Sequence, residues 1–296
     1  MLAGELVVAA AVAARLAAGF SLSVGAALAL ALALSVLLPG ALVAASFLIA
    51  ALLAPAPPRD FRYTVRALLT EAVALSLAML TMALRRDPPA AVEAGGAVPG
   101  ERGARPLLLI HGVVCNCNVW RPWLRALQSA GFGPVRALSL EPLFADIGVH
   151  TTRVAQELCA LQREAHGAPV SIIAHSMGGL VARSALRSLG PQSISRIVTL
   201  ATPHHGTRVA RCFPWLLPMR QMSPGSAWLQ ALNTAQEGHL AAPLTSIYSL
   251  EDNLVVPSRT ARLEGAQAQE LRGFGHLALL RSRGAIAHAL AALADA

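Results

Sequence analysis

The chain has 296 residues, enough for one large domain or two smaller ones, and a net charge of +8. Apolar residues make up 55% of it and charged residues only 14%, against about 25% in ordinary soluble domains. Every basic residue is an arginine, and the arginines form no extended run and alternate with no aromatic residues, so no nucleic-acid partner is predicted. No cysteines and histidines cluster at zinc spacing, and we expect neither a metal nor an organic cofactor.

The charged residues are unevenly distributed along the chain. Residues 1–86 contain only six arginines and three acidic residues, and almost everything else is Ala, Leu or Val. Residues 87–104 are rich in Pro, Gly and Ala without periodicity, which is typical of a flexible linker. The remainder, 105–296, has the composition of an ordinary globular domain. The sequence therefore predicts an all-α membrane region, a linker and a folded domain.

The N-terminal region is long and apolar enough for membrane helices. Residues 20–53 carry no charge, and these 34 positions exceed the roughly 20 residues that one spanning helix needs. We expect Pro39 to break or kink this run. A second apolar run, Val65–Leu84, carries only two charged residues. We predict two to four membrane segments and favour three; a cleaved signal peptide is disfavoured, because Glu5 stands where a positive charge is expected.

The side of the membrane that the folded domain faces depends on the arginines beside the apolar runs. Arginines 59, 62 and 66 lie in or beside the link between the last two runs, and positive links tend to stay cytoplasmic. This slightly favours a periplasmic domain. Arginines 85, 86, 102 and 105 favour the opposite side, so both orientations stay open.

Apolar runs alternate with helical patterns in the folded domain. The predicted strands and helices are, in order, strand 106–110, helix 120–131, strand 135–140, helix 152–167, strand 170–174, helix 179–190, strands 194–201 and 244–250, and helix 286–293. Strands separated by helices of this length indicate parallel crossover units and a doubly wound, mostly parallel sheet.

The stretch "IIAHSMGGLVAR", residues 172–183, runs from a buried strand into a helix through Ser176. The residues two before and two after this serine, Ala174 and Gly178, are small, as a sharp turn requires. The pattern resembles the nucleophile elbow G-x-S-x-G, with alanine in place of the first glycine. The alternative is that Ser176 only caps the helix.

A serine nucleophile needs a base and an acid that orients the base. In folds with this elbow the acid and then the histidine follow the serine in the chain. Among the later histidines we favour His276, which lies in a glycine-flanked loop after a further short segment that we interpret as the last strand. Asp252 is favoured over Glu251 as the acid, because it lies just past the predicted end of a strand.

Two backbone N–H groups must also stabilise the negative charge that develops on the substrate oxygen. One predicted donor is Met177, directly after the nucleophile. The other is Val113, which follows Gly112 in the loop after the first strand.

The connection 207–243 is unusually apolar and is a candidate cap over the site. Its residues Trp215, Leu216, Met219 and Met222 are candidates for an acyl-chain wall, in which methionines adapt to different chains. The alternative is an ordinary helix packed on the sheet. The nearby His204 and His205 are predicted to position structure and not to take part in chemistry.

Several stretches together resemble the α/β-hydrolase lipases of bacteria, especially the small lipases of the class 2 type. Besides the elbow these are "LLLIHG" (107–112), "IVTLATPHHGT" (197–207), "TSIYSLEDNLVVPSRTARLEGA" (245–266) and "GFGHLALL" (273–280). The resemblance implies an α/β-hydrolase fold and an acyl-ester hydrolase. It also implies Ser176, Asp252 and His276 as the triad, with Val113 and Met177 as oxyanion donors. Those small lipases lack a counterpart of residues 1–86.

The expected function is therefore that of a serine hydrolase, anchored in a bacterial cell membrane, that cleaves carboxylic esters of lipids. An acyltransferase with the same triad is one alternative, and a non-catalytic membrane assembly or lipase-folding factor is another. Because residues 87–296 contain every proposed catalytic residue, we expect this part alone to hydrolyse soluble esters.

Overall fold

The structure is a computed structural model and describes residues 23–54, 60–84, 105–189, 191–236 and 240–294. The predicted linker 87–104 lies outside the described residues, and so does any membrane segment before residue 23.

Two long helices form the described part of the N-terminal region. Helix α1 (Val24–Leu53) is capped by the Ser23 hydroxyl and continues through Pro39, so the expected break there is wrong. A proline removes only one N–H donor, and the helix-forming residues around it keep the helix continuous. Helix α2 spans Phe61–Leu84. Within the described residues, its segment Phe61–Met82 is long and apolar enough to cross a membrane, judged by length and composition.

The described part of the folded domain is built on a six-stranded sheet. Its strands are β1 (Leu107–Ile110), β2 (Val135–Leu138), β3 (Val170–His175), β4 (Ile194–Leu200), β5 (Leu244–Ser249) and β6 (Gln267–Leu271). All neighbouring strands are parallel and their order is β2-β1-β3-β4-β5-β6. The predicted doubly wound sheet is confirmed.

Helices cover both faces of this sheet. They are α3 (Arg121–Ser129), α4 (Ile147–Glu164), α5 (Met177–Leu189), α6 (Leu217–Met222), α7 (Ala227–Thr234) and α8 (Arg283–Ala294). Alternate residues of β1 face opposite sides, as the pleat of a strand requires. Leu108 packs with α4 and α5, whereas Leu109 packs with α3 and α8. Burial on both faces explains why the central strands are apolar without alternation.

The direction of strand order reverses between β1 and β3, and ligands of such sheets bind at the carboxyl ends of the strands there.

The N-terminal helices lie against loops that follow strand ends. Helix α2 packs on the 3-10 turns Cys117–Trp120 and Ala278–Arg281. Helix α1 packs on α2 and on the turn Arg208–Cys212. The helix pair is therefore in contact with the edge of the sheet that carries the candidate site.

Candidate active site

The turn between β3 and α5 carries Ser176 in the left-handed backbone region, with φ of 56°. This conformation is uncommon for a residue other than glycine and often marks a functional turn. The Ser176 N–H donates to the Leu200 carbonyl at the end of β4, over 2.8 Å. Gly178 packs on the carbonyls of Ile110 and His111, where a Cβ would lie 2.6 Å from either oxygen. The small residue of the motif is thus required by close packing against β1.

The loop after β1 lies directly beside the serine. A Cβ on Gly112 would lie 2.6 Å from the Cβ of Ser176. Val113 follows in this loop and is half-buried, while Met177 is the first residue of α5 and is buried. The first N–H groups of a helix have no partner within it, so the Met177 N–H is free of helical bonds. Both predicted donors therefore belong to segments adjoining Ser176.

His111 joins the loop after β1 to the segment just past β2. The sequence analysis did not predict this role. Burial lowers the pKa of His111 to about 4, so its ring is neutral at pH 7. Its Nδ1–H donates to the Gly112 carbonyl over 2.7 Å, and its Nε2 accepts from the Leu140 N–H over 2.9 Å. The neutral ring thus holds the turn that precedes Val113.

His276 and Asp252 form a buried pair. The Nδ1–H of His276 donates to the Asp252 carboxylate, with 3.1 Å to Oδ1 and 3.0 Å to Oδ2. Oδ1 also accepts the N–H groups of Leu254 and Val255, both over 2.8 Å. Burial lowers the pKa of His276, but the charge and hydrogen bond of Asp252, with a smaller contribution from Glu71, raise it above its ordinary value. Since Nδ1 is engaged, Nε2 is the nitrogen that can accept a proton.

Glu251, the competing acid, contacts a different part of the same loop. Its carboxylate is fully buried and accepts from Arg272 Nε over 2.9 Å and from the Gly273 N–H over 2.6 Å. Of the two candidates, Asp252 is the one that contacts His276. Glu251 instead ties the start of the histidine loop to the end of β5.

His276 also lies against the residue that precedes the serine. The rings of His175 and His276 have centroids 4.6 Å apart. Burial lowers the pKa of His175 well below its ordinary range, so this ring is neutral, and its Nε2 lies 3.2 Å from the His276 carbonyl oxygen. The loop with His276 is therefore joined to the end of β3. Ser176, His276 and Asp252 gather at one edge of the sheet, and their catalytic roles stay predictions.

The sequence missed two side chains that contact the histidine loop. The His276 N–H donates to Asn253 Oδ1 over 2.9 Å, and the next two N–H groups, of Leu277 and Ala278, donate to Glu71 over 3.0 and 2.8 Å. One signal in the sequence pointed to Glu71, which is the only acidic residue in the run Val65–Leu84. An acid in so apolar a helix is a functional candidate in its own right.

A cavity of about 700 Å³ lies beside the loop after β1. Its lining includes Met82, Val114, Asn116, Ser139, Pro142 and Leu143. It is thus formed by the end of α2, by the loop that carries Val113 and by the loop after β2. Glu141 and Cys115 also line it, so the cavity combines apolar side chains with polar groups and one carboxyl group.

The four predicted wall residues lie elsewhere and are not among the described lining of this cavity. Met222 is buried in the core, and Met219 is half-buried and packs against it. Leu216 is also half-buried, and Trp215 is 72% exposed. Met222 is therefore a packing residue, whereas Trp215, Leu216 and Met219 each keep some exposed surface.

His204 belongs to a buried network around Arg183. Its Nδ1 lies 3.3 Å from Arg183 Nη1, and its Nε2 lies 3.1 Å from Thr199 Oγ1. Arg183 also donates to Gln236 and Asn233, both near the end of α7. These contacts connect α5, β4 and α7, and they agree with the structural role expected for this histidine.

A family model described as a PGAP1-like alpha/beta domain matches residues 153–258, which include Ser176 and Asp252. The curated protein GPI inositol-deacylase of Cryptococcus neoformans var. neoformans serotype D (strain B-3501A) is 45% identical over 51 residues. That match covers 17% of this chain and only 7% of the relative, so the chain corresponds to a small part of the relative's length.

Solved structures of lipases share the fold of the domain. Aspergillus fumigatus lipase B has a TM-score of 0.60 at 21% identity, covering 68% of this chain and 54% of the lipase chain. Bacillus licheniformis lipase BlEst2 in mature form has a TM-score of 0.57 at 17% identity, covering 67% and 96%. The domain has the α/β-hydrolase fold, as the sequence predicted. The narrower resemblance to small bacterial lipases stays a prediction.

Proposed function

We propose that the protein is a serine hydrolase that cleaves carboxylic esters of lipids. Ser176 is the nucleophile, His276 the base and Asp252 the acid that orients it. The observation that carries the proposal is the buried His276–Asp252 pair at the carboxyl edge of a parallel sheet. Its histidine ring packs on His175, the residue before a serine on a turn with positive φ.

The reaction proceeds through an acyl-enzyme. Ser176 Oγ attacks the ester carbonyl while His276 Nε2 takes its proton, and Asp252 stabilises the imidazolium that forms. The N–H groups of Val113 and Met177 hold the oxyanion. His276 then donates the proton to the departing alcohol. Water, deprotonated by His276, attacks the acyl-enzyme, and the acid leaves as Ser176 regains its proton.

Lipid acyl esters are the substrate class that the apolar surroundings favour. The cavity borders the loop that carries Val113, and we propose that it takes the acyl chain. The name of the matching relative, GPI inositol-deacylase, describes removal of an acyl group and supports this class. Trp215, Leu216 and Met219 remain candidates for contacts with the part of the substrate outside the cavity, whereas Met222 is buried in the core.

The proposal includes anchoring of the enzyme in a bacterial cell membrane by several N-terminal segments. The described helices expose large apolar side chains away from the domain, among them Leu37, Leu52 and Phe61, which are 67%, 72% and 77% exposed. Such a surface is stable in contact with lipid and unfavourable in water. Arginines 59, 62 and 66, in or beside the connection between α1 and α2, favour a periplasmic domain.

A fluorophosphonate probe on the detergent-solubilised full chain tests the proposal. We expect one covalent label, on the peptide that contains Ser176, together with hydrolysis of a panel of p-nitrophenyl esters. A folded chain without that label would be a binding or assembly protein. Acyl transfer to an added alcohol in preference to water, measured by product analysis, would identify an acyltransferase.

A further inference from the structure

The N-terminal helices contact the backbone of the predicted catalytic histidine's loop. Three consecutive N–H groups of this loop, those of His276, Leu277 and Ala278, donate to side chains. The His276 N–H donates to Oδ1 of Asn253. The Nδ2 of the same Asn253 amide donates to Ser46 Oγ of α1 over 2.7 Å. The other two bind the two oxygens of Glu71 from α2. Each helix thus supplies one side chain that holds the loop.

The contact between α2 and the loop is close and excludes water. Glu71 is 2% exposed, and a Cβ on Gly275 would lie 2.6 Å from its Oε2. Only glycine fits at this position without a shift. Two cation–π contacts also join α2 to this loop, with Arg66 4.9 Å from the ring centre of Phe274 and Arg272 4.5 Å from that of Tyr63.

A membrane anchor alone does not require such an arrangement. Burying a carboxylate is costly unless its oxygens are hydrogen-bonded, and an apolar residue would suit an anchor better. Here each oxygen of Glu71 accepts a backbone N–H of the residues that follow His276. A buried N–H group that loses its acceptor is unfavourable, so both N–H groups depend on this side chain. The carboxylate therefore fixes the backbone that carries the base.

We propose that Glu71 and Ser46 are positioning residues for His276, so that the N-terminal helix pair completes the active site in addition to anchoring it. The proposal rests on the proposed serine-hydrolase function. It replaces the expectation that residues 87–296 alone hydrolyse soluble esters at near the parent's rate, because without the helices the N–H groups of Leu277 and Ala278 lose their partner. A displacement of about 1 Å at a reacting group costs on the order of 10² in rate.

Glu71 also contributes to the charge around the base. The titratable groups that face His276 are Asp252 from the loop after β5, Glu71 from α2 and the neutral His175 at the end of β3. A negative Glu71 stabilises the imidazolium, so removing that charge lowers the pKa of His276. Because the neutral imidazole is the active base, the acid limb of the pH profile then moves to lower pH.

The test uses the full chain in detergent, with p-nitrophenyl butyrate as substrate. Glu71→Gln keeps the side-chain shape but turns an amide NH₂ towards one N–H donor, and Ser46→Ala removes the acceptor of Asn253. Matched controls are Glu264→Gln, an exposed acid, and Ser76→Ala, whose hydroxyl donates to Ala72 in its own helix.

We expect Glu71→Gln to lower kcat about 10- to 100-fold with KM within about twofold, and to move the acid limb of kcat/KM to lower pH. Ser46→Ala should lower kcat by about threefold or more without moving the limb, since it removes no charge. Both controls should keep kcat within about twofold of the parent.

A folded Glu71→Gln variant with parental kcat and an unmoved acid limb overturns the proposal. If circular dichroism shows that Glu71→Gln does not fold, the Ser46→Ala variant decides the question. A parental kcat in Ser46→Ala contradicts the proposal, and a lowered kcat supports it. Failure of the proposed function is distinguishable, because the unmodified chain would then carry no fluorophosphonate on Ser176.

Discussion

The nucleophile turn and the histidine loop adjoin in the structure but are stabilised in different ways. Ser176 is held by local backbone geometry, with a left-handed φ of 56° and one hydrogen bond to the end of the neighbouring strand. The segment 272–278 has no regular structure until its final 3-10 turn. It is held by carboxylates and an amide from elsewhere in the chain, those of Glu71, Glu251 and Asn253. One half of the site is therefore local in sequence and the other depends on distant residues.

This difference has a consequence for how the two halves fail. A change in the turn removes chemistry while the contacts between α2 and the domain stay intact. A change in the residues that hold the histidine loop leaves Ser176 in place but displaces His276 or alters its pKa. The four predictions below separate these two kinds of damage.

The largest effect is expected from Ser176→Ala, which removes the nucleophile. Hydrolysis of p-nitrophenyl butyrate should fall to a residual rate that can still exceed the uncatalysed reaction by about 10³–10⁴, through the oxyanion donors and binding. Thermal unfolding should be unchanged. Ser188→Ala, at an exposed position of the following helix α5, is the control. Activity of Ser176→Ala within about tenfold of the parent would refute the assignment of the nucleophile.

Asp252→Asn and Glu251→Gln compare two buried acids that are adjacent in sequence. Asp252→Asn should lower kcat by about 10⁴, the effect known for serine proteases when the amide holds the histidine in the wrong tautomer. Glu251→Gln weakens the contacts to Arg272 and Gly273, and should cost mainly about 1–3 kcal/mol of the free energy of unfolding. Steady-state kinetics measures kcat of both variants, and urea unfolding measures their free energy of unfolding. A larger kcat loss in Glu251→Gln would exchange their roles.

The cavity tests whether substrate contacts also come from distant parts of the chain. Leu143→Trp should narrow the cavity and lower kcat/KM for long-chain p-nitrophenyl esters by about tenfold relative to short-chain esters. Leu217→Trp is the matched control, since Leu217 is 39% exposed and Leu143 is 40% exposed. If Leu217→Trp alone changes the chain-length preference, the acyl chain lies along the 207–243 connection instead.

The smallest effect is a shift of the pH profile. Burial lowers the pKa of His276, but Asp252 and, to a smaller extent, Glu71 raise it, so the net pKa lies above the ordinary 6.5. Activity needs the neutral ring and should fall as the pH drops through this raised pKa. The midpoint of the acid limb of kcat/KM, measured with p-nitrophenyl butyrate, should lie above pH 6.5. A midpoint below that value would contradict the ionised pair.

Much of the domain could be predicted because its signals are short-range. The alternation of buried strands and helices predicted a doubly wound sheet, and five of the strands begin within one residue of their expected positions. The least visible strand is β6, "QAQEL", which is largely exposed because it lies at the edge of the sheet. Helix α1 continues through Pro39, because flanking helix formers outweigh one lost hydrogen bond.

The sequence by itself predicted the turn that carries Ser176, because its strand, its serine between small residues and its helix lie within about ten positions. It also singled out His276 and favoured Asp252 over its neighbour. Only the tertiary structure decided what holds the histidine loop, because Glu71 and Leu277 are 206 positions apart and no periodicity relates them. Their contact depends on how α2 packs against the carboxyl edge of the sheet, where buried polar groups must find partners wherever the folded chain brings them.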